Sequence, residues 1–290
     1  MAGETQGLSE PSWWGQTAVW RAVRKYVNIF RVSLIERMAY RGDFLLGTIL
    51  RFFPVITTIL LWRAVFAGNQ QKPIAGFTEN RMIAYLLLIH ISRMFSSMPG
   101  LSGAIARDIR EGTLKKYLLQ PLDMIGYLLS YRAAHKVAYI TTSAGPYAGL
   151  FLLCSGYFVG LWPDALTLLA YIASLLLAFL IGFFFEASMG MVGFWLLEVT
   201  SLLWVVNTVN YFVSGQMFPL GLLGEPWVTI LKWLPFQYLA YFPAVVFLGE
   251  VRGQALVKGL LMELAWAAVL IVLSRWLFAR GLRRYSAYGG

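Results

Sequence analysis

The sequence predicts an all-α membrane protein with six transmembrane helices. Of its 290 residues, 59% are hydrophobic and only 13% are charged, whereas soluble domains have about 25% charged residues. A helix that crosses a bilayer needs roughly 20 apolar residues, and the long apolar runs account for about six such helices. One conspicuously charged interior segment, residues 101–123, lies between the second and third runs. We therefore expect a single membrane domain over residues 1–290.

An N-terminal amphipathic helix is predicted over residues 16–41. Apolar residues recur every three or four positions from Trp20 to Met38, and basic residues such as Arg24 and Lys25 lie on another face. A basic amphipathic helix of this kind is suited to lie along the inner membrane surface. The alternative is a helix that packs on the protein and faces water.

Six spans are predicted along the chain, with a short turn at residues 186–188 between the fourth and the fifth. Their bounds are residues 44–67, 81–100, 137–160, 165–185, 189–212 and 255–278. Residues 213–249 contain scattered glycines and prolines among aromatic and aliphatic residues. Irregular backbone at membrane depth occurs only where protein or a watery cavity shields it. This stretch therefore predicts two short outer re-entrant helices.

Lysine and arginine are unevenly distributed among the predicted loops. They concentrate before the first span, between residues 101 and 136, and in the C-terminal tail, whereas the first outer loop carries Lys72 alone. By the positive-inside rule, both termini and the charged interior segment face the cytoplasm. The net charge of +10 is attributed to this topology, and no nucleic-acid partner is expected.

Charged residues inside the spans are candidates for a transport path or for internal pairing. Arg93 lies in span two, and Glu198 in span five is the most deeply placed acid of the chain. We expect Glu198 either to neutralise Arg51 or Arg93 or to line a polar path. His90 is interpreted as a hydrogen-bonded structural group, with a role in transport as the alternative.

The sequence has no motif for ATP hydrolysis, for metal binding or for enzymatic catalysis. No G-x-x-x-x-G-K-[ST] phosphate loop occurs, so ATP hydrolysis is expected on a partner chain. Two histidines and the single Cys154 lie far apart and form no recognisable metal site. No nucleophile motif or carboxylate pair appears at a membrane face, so the chain is not predicted to be an enzyme or to need a cofactor.

Residues 101–123 have the pattern of a short amphipathic helix. Its apolar positions recur at a spacing of four, while charged residues occupy the other faces; they are Leu101, Ile105 and Ile109. Pro121 is expected to end the helix. We interpret this stretch, which we call the coupling segment, as the connection between the membrane domain and a separate protein that supplies energy.

Two stretches resemble the ABC-2 type permeases, the membrane subunits of a large class of ABC exporters. One resembles the family's E-G-T-L pattern after the second span, and the other its serine-glycine and phenylalanine-proline motif after the fifth. The first is IREGTLKKYLLQP (109–121); the second is SGQMFPL (214–220), followed by EPW (225–227) and LPF (234–236). YRGDFLL (40–46) and PFQYLAYFP (235–243) look like a less characterised branch, often encoded beside a partner permease and an ATPase.

The resemblance implies a half-transporter in the plasma membrane of a prokaryote. Two six-helix subunits, identical or paired with a related permease, sit on two nucleotide-binding ATPase subunits. The family's coupling helix maps onto residues 104–119, and the residues expected to contact the ATPase are Arg110, Glu111, Gly112, Thr113 and Leu114. Lys115 and Lys116 stand where many relatives carry acids, which leaves the matching surface of the ATPase open.

The resemblance also implies a transport path between the two subunits, lined by spans one, two and five, with residues 213–249 as an outer gate. Candidates for lining or gating it are Arg93, Glu198, Tyr211, Phe212 and Phe218. The expected substrate is a small apolar or amphipathic molecule, because no long charged lining is visible. A transporter or channel that works without ATP, and a non-transporting assembly or sensor subunit, are the alternatives.

Overall fold

The computed structural model describes residues 18–39, 41–74, 76–196 and 198–289. Within these ranges the chain is helical and forms no strand, which confirms the all-α prediction. The α-helices are α1 (Ala18–Ala39), α2 (Arg41–Gly68), α3 (Glu79–Ser96), α4 (Leu101–Arg110), α5 (Lys115–Leu118), α6 (Met124–Leu153), α7 (Ala165–Met191), α8 (Thr200–Val213), α9 (Trp227–Trp233), α10 (Tyr241–Phe247) and α11 (Gly253–Gly289).

Four helical stretches of the described chain are long and apolar enough to cross a membrane. They are Leu45–Gly68, Glu79–Arg110, Ala165–Phe194 and Gly253–Tyr285. These stretches correspond to predicted spans one, two, four and six. Predicted spans three and five correspond to α6 and α8, which are not among them. α8 has only 14 residues, and α6 carries Arg132, His135 and Lys136 in its first half.

The helix boundaries around predicted spans four and five differ from the prediction. α7 continues through residues 186–188, where the sequence predicts a turn. The Ser188 hydroxyl donates to the Phe184 carbonyl at 2.7 Å, so this polar group is satisfied inside the helix. The chain instead breaks after a 3₁₀ turn at Val192–Phe194. The predicted turn is therefore wrong, and residues 189–212 are not one helix.

α7 is the centre of the bundle and packs against α3, α4, α10 and α11. Two of its glycines permit close approach: Gly182 lies against the Ser96 carbonyl, and Gly190 lies against Ser102 of α4. A Cβ atom added at Gly190 would lie 2.7 Å from the Ser102 carbonyl oxygen, which is closer than packed atoms tolerate. The contact of α7 with α3 and α4 therefore depends on the absence of side chains at these positions.

α1 lies along α6. Lys25 Nζ donates to the Pro121 carbonyl at 2.7 Å, and the Arg37 guanidinium lies 5.1 Å from the centre of the Tyr131 ring. Large apolar side chains on α1 remain exposed, among them Trp20, Val23 and Val27. Placement of this helix on the membrane surface stays a prediction, and residues 16, 17 and 40 of the predicted range lie outside the described residues.

The irregular stretch after α8 reaches deep into the helical bundle. The hydroxyl of Ser96, at the far end of α3, donates to the Leu239 carbonyl at 2.6 Å. Nearer the start of α3, the Tyr85 hydroxyl donates to the Gly215 carbonyl at 2.6 Å. α10 then packs against α3 and α7, with Phe242, Val245 and Val246 buried. Residues 235–248 of this stretch are thereby shielded by protein, whereas most of residues 221–233 are exposed.

Candidate functional site

Three adjoining cavities lie among α2, α3, α6, α7 and α8, with volumes of about 350, 290 and 170 Å³. Arg93 and Gln216 line all three, and we refer to them together as the polar cavity. The largest part extends to His135 of α6. The smallest is bounded by Pro54 and Val55 of α2. The site thus combines polar groups with an apolar wall.

Two basic side chains of α6 hold the end of α3 beside this cavity. Lys136 Nζ donates to the carbonyls of Met94, at 2.6 Å, and Ser97. Arg132 donates to the Pro99 carbonyl at 3.1 Å. The last carbonyls of a helix lack partners within it and carry partial negative charge, so cations are favoured there. These contacts stabilise the interruption between α3 and α4.

Arg93 is held more loosely than these two cations. Its Nη1 donates to the Ser96 hydroxyl at 3.3 Å. Glu186 of α7 lines the same 290 Å³ cavity but is hydrogen-bonded by Ser102. The ion pairs of the described residues, drawn at a limit of 4.0 Å, do not include Arg93. The cavity therefore contains a separated positive and negative charge.

α8 contributes an amide-rich wall. Asn210 is only 5% exposed, and its Oδ1 has no hydrogen-bond partner among the described residues. The Ser214 hydroxyl donates to the Asn210 carbonyl at 2.5 Å, and Gln216 Nε2 donates to the Ser214 hydroxyl at 2.6 Å. Buried polar side-chain atoms normally have a partner. The free Oδ1 therefore marks a position suited to a donor from a bound molecule or water.

The predicted path residues are only partly brought together. Arg93 and Tyr211 line the polar cavity. The Phe212 ring packs edge-on against Tyr211, with the ring centres 5.6 Å apart, but Phe212 and Phe218 are not among the lining residues of these three cavities. The side chain of Arg51 lies outside the described part of the structure.

Glu198 lies in the link between α7 and α8, with 62% of its side chain exposed. Its Oε2 is 3.4 Å from Arg110 Nη1, and its Oε1 accepts a hydrogen bond from the Thr200 amide at 2.7 Å. Hydrogen bonding by Thr200 lowers the pKa of the Glu198 carboxyl. The sequence predicts an acid within span five that neutralises Arg51 or Arg93 or lines a polar path. Glu198 instead precedes α8 and pairs with Arg110, and its pairing with Arg51 stays a prediction. The acid that shares a cavity with Arg93 is Glu186.

The coupling segment begins with the predicted amphipathic helix, which is α4. Its apolar residues Leu101, Ile105 and Ile109 are all buried. α4 ends at Arg110, and Gly112 has a φ of +74°, a conformation that glycine adopts at no steric cost. The chain turns there before α5. The predicted single helix over residues 104–119 is therefore wrong, and the predicted contact residues form the corner between two helices.

Asp108 joins α4 to α5 across this corner. Its Oδ1 accepts a hydrogen bond from the Thr113 hydroxyl at 2.7 Å, and its Oδ2 lies 2.9 Å from Lys116 Nζ. Burial lowers the pKa of Lys116, but the hydrogen bond and charge of Asp108 outweigh it and leave that pKa raised. Leu114 is fully buried beneath the corner. The coupling segment is thus internally braced.

The corner contacts two other parts of the chain. The Tyr285 hydroxyl of α11 lies 3.6 Å from where a Cβ of Gly112 would be, and the Tyr285 and Phe194 ring centres are 6.2 Å apart. Arg110, Phe194 and Tyr285 together line a cavity of about 490 Å³. The coupling segment, the residues after α7 and the end of α11 therefore meet at one place.

The sequence comparison identifies the class of protein that carries this arrangement. A family model described as ABC-2 family transporter protein matches residues 52–289. The chain belongs to the ABC-2 transporter family. This confirms the resemblance drawn from the two sequence motifs, and makes the chain a membrane component of an ABC transporter. A search of curated proteins found no match.

Sequence reasoning did not single out several residues in the polar cavity of this ABC-2 permease. They are Lys136, Glu186, Asn210 and Gln216. Glu186 is an acid within a long apolar run, and this signal was assigned to a turn. Gln216 lies inside the SGQMFPL stretch. The four residues come from three separate parts of the chain, so their convergence requires the fold.

Proposed function

We propose that this chain is the permease subunit of an ATP-driven exporter of a small apolar or amphipathic substrate, powered by a separate ATPase subunit. The observation that carries the proposal is the 3.4 Å ion pair between Arg110 and Glu198. The pair connects the coupling segment to the start of α8. The other end of α8 lines the polar cavity through Asn210 and Tyr211. Movement of the coupling segment is thereby transmitted to one wall of the cavity.

The corner of the coupling segment is the proposed contact with the ATPase. Arg110, Glu111 and Thr113 are exposed there, whereas Leu114 is buried. The exposed residues bind the ATPase, and Gly112 and Leu114 give the corner its shape. Because Asp108 ties α4 to α5, the corner keeps its shape when the ATPase pushes on it.

The transport path is proposed to lie between two permease subunits, either two copies of this chain or this chain and a related one. The outward side of α8 supports this arrangement, since Trp204 is 72% and Val205 62% exposed. Residues 213–249 form the outer gate, and the coupling segment and both termini face the cytoplasm of a prokaryote. The distribution of Lys and Arg supports this orientation.

The test is purification of the wild-type chain and of a Glu111→Arg variant from the native host in mild detergent, with mass spectrometry of the copurifying proteins. We expect an ATPase with a phosphate loop to accompany the wild type and to be lost from Glu111→Arg. Glu225→Arg is the matched control, because it makes the same charge change in the stretch after α8, far along the chain from the coupling segment. It should keep the ATPase.

Two outcomes decide between the functions. Loss of the ATPase from a still-folded Glu111→Arg chain supports the coupling assignment, and a second permease in the sample identifies a mixed pair. Absence of any ATPase from the wild type, under conditions that preserve other membrane complexes, overturns the exporter. Transport driven by an ion gradient then becomes the function to test.

A further inference from the structure

The cations around the polar cavity differ in how their charge is used. Lys136 and Arg132 donate to backbone carbonyls at the end of α3. Arg93 makes one 3.3 Å hydrogen bond to the Ser96 hydroxyl, and no ion pair among the described residues involves it. Arg93 alone of these three lines all three parts of the cavity. Its guanidinium therefore remains available to a ligand.

A charge in this position is unfavourable unless it is compensated. Ionisable residues within membrane segments are costly and usually face a cavity or a partner. A guanidinium presents several N–H donors in a fixed plane that matches the two oxygens of a carboxylate or the oxygens of a phosphate. Glu186 acts on Arg93 only through space, without an ion pair, so the N–H donors of the guanidinium remain open to an anion that enters the cavity.

The surroundings of Arg93 define the rest of the ligand. The Oδ1 atom of the buried Asn210 lacks a donor among the described residues, which favours a hydroxyl or amine near the acidic group. The 170 Å³ part of the cavity is bounded by Pro54, Val55, Leu86 and Ile89, which suit an apolar body. The largest part of the cavity, about 350 Å³, is within the roughly 300–1,000 Å³ of small-molecule sites, which likewise combine an apolar lining with a few polar groups.

We infer that the transported molecule is an amphipathic anion whose acidic group binds Arg93. This inference rests on the proposed transport function and narrows its substrate class. Glu186 lines the same cavity and repels the anion, so the site binds the acidic group without holding it too tightly for release. The bound anion lies beside Asn210 and Tyr211 of α8, the wall that the coupling segment moves.

The test measures binding of two probes that differ in charge, 2-naphthoate and 2-naphthalenemethanol, to the full chain in phosphatidylcholine nanodiscs, with empty nanodiscs subtracted. The wild type is expected to bind 2-naphthoate at least about tenfold more tightly, as a charge-assisted hydrogen bond provides. Arg93→Gln removes this preference and Arg93→Lys keeps part of it. Arg81→Gln is the control, because Arg81 lies on the same helix but pairs with Glu250 at 3.2 Å.

A second variant keeps the inference testable if the Arg93 variants do not fold. Glu186→Gln removes the opposing charge, so it should strengthen binding of 2-naphthoate and leave 2-naphthalenemethanol unchanged. A wild type without preference for the anion, an Arg93→Gln chain that retains it, or a Glu186→Gln chain that weakens it overturns the inference.

The source of the anion is read from the same assay with phosphatidylglycerol added to the nanodiscs. Competition with 2-naphthoate in the wild type supports a lipid headgroup as the natural acidic group, and lack of competition supports a soluble amphipathic anion. Binding is measured on the isolated chain, so its outcome is separate from that of the ATPase purification. An ATPase that copurifies with a chain lacking anion preference overturns only the substrate class.

Discussion

The two walls of the polar cavity differ in how tightly they are packed. One wall, formed by α3, α4 and α7, closes through Gly182 and Gly190, which leave no room for a side chain; we call it the fixed wall. The other wall is α8, on which Trp204, Val205 and Val209 remain exposed. Densely packed interfaces resist displacement, whereas sparsely packed elements move at lower cost. Within a single chain α8 therefore has fewer contacts than the fixed wall, and we expect the cavity to change shape mainly through it.

The same comparison explains where the coupling segment acts. α4 is part of the fixed wall, and its C-terminal residue Arg110 is ion-paired with Glu198 at the start of α8. One short segment therefore contacts both walls. We expect a displacement of its exposed corner to change the position of α8 while α3 and α7 keep their packing.

The largest expected effect comes from a side chain placed inside the fixed wall. Gly182→Leu would overlap the Ser96 carbonyl, and overpacking of this kind costs about 3 kcal/mol. We expect a lower thermal midpoint and less monodisperse protein in mild detergent. Val205→Leu on exposed α8 should change stability by less than about 0.5 kcal/mol. Equal losses in both variants would show that the two walls do not differ.

Charge reversal at the contact between the walls has the next largest effect. Arg110→Glu or Glu198→Arg places like charges 3.4 Å apart and should reduce transport per ATP hydrolysed by about tenfold, within the range of typical coupling between sites. The double variant restores the opposite charges of the pair and should recover most of the loss in complexes shown to retain the ATPase, to which Arg110 also binds. The measurement is transport and ATP hydrolysis in parallel with the reconstituted complex. A double variant as impaired as the worse single one contradicts the link.

Some of this architecture follows from the sequence, and some of it does not. The spacing of Leu101, Ile105 and Ile109 predicts α4 because a buried helical face leaves a local periodic signal. The break after α7 leaves no such signal, since apolar residues lie on both sides of it. The pairing of Arg110 with Glu198, 88 positions away, is set by tertiary packing. The sequence places Glu198 inside span five, whereas the structure has it exposed in the link before α8.

The smallest expected effect is that the stability of the first turn of α8 depends on pH. The hydrogen bond from Thr200 and the nearby Arg110 favour ionised Glu198 and lower its pKa. The stability that these two contacts give the start of α8 is therefore present above the ordinary glutamate pKa of about 4.3. It is lost as the pH falls through the lower pKa of Glu198 in the folded chain. Hydrogen exchange of the first turn of α8, corrected for the intrinsic rate, should accelerate below about pH 4. In Glu198→Gln this additional acceleration should be absent.

The central claim, that ATP moves the α8 wall against the fixed wall, is tested by spin-label distances in the reconstituted complex with its ATPase. In a Cys154→Ser background, one pair of labels joins Leu176 of α7 to Val205 of α8, and the control pair joins Leu176 to Asn80 of α3; all three positions are exposed. The account predicts that a non-hydrolysable ATP analogue shifts the first distance by several ångströms and leaves the second unchanged. Equal shifts in both pairs, or none in the first, would contradict it.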